Sequence, residues 1–358
     1  MIMNKIFLIC VFCLISGFNV NAQSCWVLQT SGTKEGLTSV HFNDTNNGYA
    51  VGNRGTILNT RNGGANWVAD KEVDGNLTSV FSFNNTTYAV GSGYFQSNTP
   101  KTLGLIYKKN NYENMWDVTK TKFGYDYFRY GDYLESVYFI HSDTGYAVGS
   151  SGLIIKTIDG GKEWSVQSYL KPNEKYYNLH SVFFIDANFG YAVGGNDSLG
   201  IILKTNNGGT TWTQQTSGTN QNLNSVCFVD TNTGYAVGGG LWDKKGIILK
   251  TIDGGHKWME LSYTSPEDMY YELKSVFFIN TNTGYAVGGT TVRSKQGKAI
   301  RIDKVDGLIL KTIDGGTTWE KQTSGINRVL LSVFFNDNNT GYIVGDRGVI
   351  LKTTNGGK

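Results

Sequence analysis

Cysteine, proline, one-sided charge and long apolar runs are what this chain has least of, and each scarcity excludes something. Of four cysteines, Cys10 and Cys13 sit inside an apolar N-terminal run, which leaves Cys25 and Cys227. These two occupy different repeats and different repeat positions, so no disulfide framework is expected. A chain of 358 residues buries enough core to fold without one. Three prolines against 46 glycines fit many tight turns between short strands. A formal charge of +3 gives no case for nucleic acid. The four histidines, His41, His141, His180 and His256, show no metal-ligand spacing. No nucleophile elbow or phosphate loop appears. The reading is therefore no catalytic residue, no metal and no cofactor.

One apolar run stands out. Lys5 precedes Ile6 to Ile15, and Val20-Asn21-Ala22 supplies small residues before Gln23. That pattern reads as a secretory signal peptide, residues 1–22. No later segment is long and apolar enough to span a bilayer as a helix. Residues 23–358 are expected to form an exported domain, periplasmic, cell-surface or secreted, and monomeric.

What the chain has in abundance is repetition. The words Leu-x-Ser-Val, Gly-Tyr-Ala-Val-Gly and Ile-Leu-Lys-Thr recur around Ser39, Ser79, Ser136, Ser181, Ser225, Ser275 and Ser332, at intervals of 40 to 57 residues. A fixed motif at such a period marks a solenoid, propeller or array. Each copy parses as four short strands, as in Leu179–Phe184, Tyr191–Gly194, Ile201–Thr205 and a run starting at Trp212. β-branched and aromatic residues fill the strands, while Gly, Asn, Asp and Thr punctuate them. No helical periodicity persists beyond two turns. Four-stranded antiparallel units repeated around an axis make an all-β propeller, here of seven blades.

The turn from the third strand to the fourth reads Thr-x-Asp-Gly-Gly-x-x-Trp at Thr157–Trp164, Thr251–Trp258 and Thr312–Trp319, with Asn for Asp at Thr60–Trp67 and Thr205–Trp212. The second repeat keeps only the spacing, from Lys109 to Trp116. Asp or Asn bonds the backbone of its own turn, and the glycines supply positive φ. The Trp packs between blades, and its N–H is expected to find one acceptor. This turn resembles the Asp box of BNR-type propellers. With its flanking words, the repeat resembles the photosystem II assembly and stability factor family over nearly all of Trp26 to Lys358. That resemblance implies a non-enzymatic scaffold for protein partners. Sialidases, sortilin-type receptors and xyloglucan-hydrolysing propellers share the box, so the box alone assigns no function.

The seventh copy stops at Asn355-Gly356-Gly357-Lys358, two residues short of a Trp, whereas Cys25-Trp26-Val27-Leu28-Gln29-Thr30-Ser31-Gly32 matches the stretch after another box, Trp212 to Gly218. The N-terminus is therefore expected to supply the fourth strand of the C-terminal blade.

Strand parity puts second-to-third and fourth-to-first connections at one end of the ring. Six long insertions fall there: 92–103, 118–133, 165–178, 239–245, 260–272 and 290–306. Variable loops on a constant scaffold are where binding usually sits. Candidate ligand-binding residues are Tyr125, Tyr127, Phe128, Tyr130, Tyr176, Tyr177, Trp242, Tyr270 and Tyr271, as an amphipathic surface. Loop-on-loop packing is the competing account of these rings. Arg54 and Arg347 join them, on equivalent tight turns of adjacent blades. They belong to a basic arc with Lys244, Lys245, Arg293, Lys295, Lys298, Arg301 and Lys304, for which a solvated rim is the alternative. The carboxylates on this face, Glu135 and Glu272 among them, are not paired by anything in the sequence, and a glycosidase needs such a pair. The leading expectation is a protein partner at the loop-rich face. A polysaccharide, bound or cleaved, is the alternative.

Overall fold

A computed structural model describes residues 25–70, 73–95, 101–110, 115–118, 133–168, 176–196, 198–239, 246–261, 263, 269–296 and 299–358. The expected leader, residues 1–22, lies outside them. The described residues form seven four-stranded antiparallel sheets in sequence order, the blades of a propeller. The exception to sequence order is the closing blade. Its outer strand is Val27–Leu28, paired antiparallel with the C-terminal strand Val349–Thr353 (Val27↔Lys352, Leu28↔Leu351). Trp26 takes the place of the missing box tryptophan. It is 1 % exposed and meets Phe335 edge-on at 5.9 Å, as Trp164 meets Phe139.

The innermost strand of each blade explains the Leu-x-Ser-Val-x-Phe word. Leu37, Val40 and Phe42 are buried between blades, while Thr38, Ser39 and His41 are half-buried. Strict alternation would send only every second residue inward. A bulge between Leu37 and Ser39 breaks the alternation, because Leu37 pairs Gly52 and Ser39 already pairs Val51. The bulge also fixes the glycine that ends Tyr-Ala-Val-Gly. A Cβ on Gly52 would stand 1.9 Å from the Gly36 carbonyl oxygen.

The bulge turns the serine toward its neighbour, and the serines close the ring. Val80 N–H donates to Ser39 Oγ (3.1 Å), Val137 to Ser79, Val182 to Ser136, Val226 to Ser181, Val276 to Ser225, Val333 to Ser275 and Val40 to Ser332. The inner edge of each sheet would otherwise present unpaired backbone donors.

A second tie runs through the box turns. Thr157 Oγ1 accepts the Gly161 N–H (2.8 Å), and Asp159 Oδ1 accepts the N–H groups of Lys162 and Glu163 (3.0 Å each). The turn so fixed presents the Gly160 carbonyl to the preceding blade. There it accepts both Tyr88 Oη–H and Lys108 Nζ–H at 2.8 Å. The same Tyr–Lys pair serves Gly208, Gly254, Gly315, Gly356 and, across the closure, Gly63. Between blades 1 and 2 the box glycines are lost and Asn59 replaces the lysine. A largely buried Lys109–Asp70 pair at 2.5 Å stands there instead.

Two expectations are corrected. The indole N–H groups of Trp67, Trp116, Trp164, Trp212, Trp258 and Trp319 have no acceptor among the described residues. Among the described residues, Trp26 meets the expectation, donating to Gln322 Oε1 at 2.8 Å. The box tryptophans are held by ring packing, edge-on to a Phe at junctions such as Phe139–Trp164 and Phe278–Trp319. The insertions at 92–103 and 290–306 are also less loop-like than expected. Backbone pairing continues through them, to Phe95↔Lys101 and Gln296↔Ala299, so blades 2 and 6 extend as hairpins.

Candidate binding site at the axial mouth

The two half-buried positions made by the bulge face the propeller axis. They line a cavity of about 420 Å³. Because they begin the inner strands, this mouth opens at the end that carries the insertions. The next half-buried position of each inner strand builds a collar below it. His41, Phe81, Tyr138 and Phe183 follow one another at centroid distances of 4.5, 5.0 and 5.2 Å. Phe277, Phe334 and His41 complete the round at 5.4 and 4.6 Å. Cys227 holds this place in blade 5, and burial pushes its thiol up to about 12, so it is a packing group and not a nucleophile. His41 Nδ1 accepts the Ser82 N–H at 3.2 Å, and burial holds its pKa down to about 4, which keeps the imidazole neutral.

The mouth itself is uneven. In blades 1 and 2 the axial residues are Thr38 and Thr78, whose hydroxyls donate to the carbonyls of Leu77 and Leu134 (2.8 Å each) and are spent on joining blades. Blades 3 to 6 place Glu135, His180, Asn224 and Lys274 at the same position. Lys274 Nζ donates to Glu272 Oε1 at 2.6 Å, and Asn224 Nδ2 donates to the same oxygen at 3.2 Å. Asn222 Nδ2 stands 3.1 Å from His180 Nε2. An amide nitrogen only donates, so Nε2 accepts and the ring proton sits on Nδ1, 4.0 Å from Glu135 Oε1. Burial first, then Lys274, lowers the His180 pKa to about 4 against the Asn222 bond. Burial pushes Glu135 up to about 7, with Lys274 opposing.

An aromatic edge adjoins the acidic side. The Tyr133 hydroxyl is pushed up to about 12 by burial, then by the nearby Glu135 carboxylate and Tyr176. Asn178 Nδ2 donates to Tyr133 Oη at 3.2 Å.

The sequence candidates fare unequally. Tyr125, Tyr127, Phe128, Tyr130 and Trp242 lie outside the described residues. Tyr176 is 56 % exposed beside the mouth. Tyr177 packs against the core between blades 3 and 4, and Tyr270 is half-buried. Tyr271 is not a surface ring. It is 4 % exposed, stands edge-on to Tyr263 at 5.4 Å and donates to the Tyr263 carbonyl. The reason is that the inner strand of blade 6 starts at Met269, which makes Tyr271 an inward strand residue and not part of a loop. Arg54 and Arg347 do sit on equivalent turns with left-handed φ of 53° and 56°. Gly36 is flanked by Asn53 of one turn and Asp346 of the other. Arg54 is not a bare cation, since Glu35 Oε1 lies 3.6 Å from Nη1.

His180, Asn222, Asn224 and Lys274 were not among the candidates. The signal was present. The second residue of Leu-x-Ser-Val differs in nearly every copy while its neighbours stay fixed, as expected of a position released from packing.

Sheet order, ring ties and box turns together define a seven-bladed BNR-type β-propeller. The profile of the family described as photosynthesis system II assembly factor YCF48 matches residues 18–118 and 108–217, more than half of the sequence. The chain belongs to that family. Solved structures agree on the fold. YCF48 from Cyanidioschyzon merolae superposes with a TM-score of 0.65 at 18 % identity, covering 92 % of this chain and 98 % of that one. YCF48 bound to D1 peptide gives 0.66 at 17 %, covering 93 % and 97 %. The GH74 xyloglucanase from Xanthomonas campestris gives 0.70 at 13 %, covering 92 % of this chain but 53 % of the enzyme. A comparison with curated protein sequences finds no match.

Proposed function

We propose that this chain is an exported, non-enzymatic assembly-factor-like protein that holds a polypeptide partner against its insertion-bearing face, centred on the axial mouth. Family membership carries this reading, since a YCF48 relative is known bound to D1 peptide. The polar mouth and the exposed Tyr176 beside it support that placement. The leader-like residues 1–22 support export. The test is affinity capture with the purified chain, compared with Tyr176→Ala and with an Arg54→Ala, Arg347→Ala pair. The first variant is expected to reduce capture, and the second to reduce its salt sensitivity. Capture unchanged in Tyr176→Ala and equally strong for a variant on the opposite face would defeat the reading.

One observation favours a second reading. Glu135 and Glu272 line the same cavity, Glu135 held protonated toward neutral pH by burial and Glu272 paired with Lys274 at 2.6 Å. Glycosidases use an acid and a carboxylate in such contrasting states. Release of reducing ends from β-glucans, abolished by Glu135→Gln, would establish this alternative.

A further inference from the structure

The charge account of the axial mouth does not close. Lys274 is neutralised by Glu272 at 2.6 Å. His180 is neutral, with Nε2 engaged by Asn222. Thr38, Thr78 and Asn224 are spent on backbone carbonyls. Among the described residues of the mouth, Glu135 is the ionisable group left without a partner. The groups around it are His180 at 4.0 Å, the Tyr133 ring on its own segment and Lys274 across the mouth, and none of them donates to it in a hydrogen bond. Its side chain is 24 % exposed, so the carboxyl can be reached from the cavity. Leaving a carboxylate largely desolvated without a counter-charge is costly, and supplying one recovers that cost.

We propose that the axial mouth takes a cationic side chain, a lysine or arginine presented by the partner, with Glu135 as its counter-ion. This rests on the reading of a polypeptide partner and names the chemistry it presents. The cavity of about 420 Å³ has ample room for a long basic side chain, since liquid water occupies about 30 Å³ per molecule. Leu331 lines the same cavity and offers an apolar contact to the methylene stem. The Ser136 and Ser181 hydroxyls line the same wall as further acceptors. An acidic partner group would meet Glu135 and Glu272 instead. A bound cation favours the ionised carboxylate, so capture expels a proton wherever Glu135 is still protonated.

The experiment is a titration of the purified chain with acetyl-Ala-Lys-Ala-amide, and with its Glu and Ala counterparts, followed by carboxyl-carbon NMR of Glu135. The lysine peptide is expected to bind, and to lower the Glu135 titration midpoint by about one pH unit or more; the other two are not. Binding should weaken at least tenfold in Glu135→Gln. It should tighten in Lys274→Met, which removes the mouth's own cation and frees Glu272. The second variant and the midpoint shift decide the matter even if Glu135→Gln folds poorly. No lysine-peptide binding, equal binding of the glutamate peptide, or weaker binding in Lys274→Met would overturn the proposal. Affinity capture of a partner that survives Glu135→Gln unchanged would overturn it too, while leaving the polypeptide-binding function standing.

Discussion

Single residues at the axis contribute to the pH dependence of the molecule. His41 and His180 are held at about 4 against 6.5 for an unperturbed histidine, so their contribution to stability is complete above about pH 6.5 and is lost as pH falls toward 4. Glu135 runs the other way. Its carboxyl titrates near 7 against 4.5 unperturbed, so its contribution to stability is complete below about pH 4.5 and is lost as pH rises toward 7. His41→Phe supplies the residue that blades 2, 4, 6 and 7 already use at this position. The variant is expected to lose less stability than the wild type between pH 6.5 and 4, as chemical denaturation at several pH values would read. An unchanged slope would show that His41 is not held neutral by burial. Two tyrosines separate surface from core at the same scale. Tyr271→Ala is expected to cost on the order of 3–5 kcal/mol, as buried rings do. Tyr176→Ala should stay within about 1 kcal/mol. Equal losses in urea melts would contradict the burial assigned to them.

At the scale of elements, most of the architecture was legible in the sequence, because each motif has one backbone-level job. The box turn, the split box at the termini and the closing strand all stand as read. What escaped was set by pairing that no local pattern announces. The bulge between Leu and Ser, which turns two consecutive residues to the axis, is a register effect visible only once Gly52 is seen opposite Leu37. The start of the inner strand at Met269 is set by its pairing with Val292, which sits in what reads as an insertion. That pairing makes Tyr271 an inward strand residue and not part of a loop. The ring serines mark each repeat in the sequence, but the N–H groups they accept from lie one blade away. Closure without a covalent link makes a direct prediction. A chain starting at Gly32 loses the outer strand and Trp26, and is expected to unfold at a sharply lower temperature than one starting at Gln23. Trp26→Ala alone should cost on the order of 3–5 kcal/mol. Equal melting temperatures for the two chains would disprove the non-covalent closure.

At the scale of the whole molecule, the two ends of the ring differ in kind. One carries box turns whose side chains are consumed in holding themselves and the next blade. It also bears isolated exposed isoleucines, Ile158, Ile252 and Ile313. The other carries the hairpin extensions of blades 2 and 6, the exposed Tyr176 and the axial mouth, whose charges are only partly consumed. Binding therefore belongs to the second end, and a photo-cross-linker can ask which end a partner touches. Benzoylphenylalanine would be placed at Tyr176 in one variant and at Ile313 in another, in cells that make the protein naturally, and adducts resolved by mass. The account predicts a discrete polypeptide adduct from position 176, weakened by Glu135→Gln, and none from position 313. Adducts from position 313 with none from position 176 would contradict it.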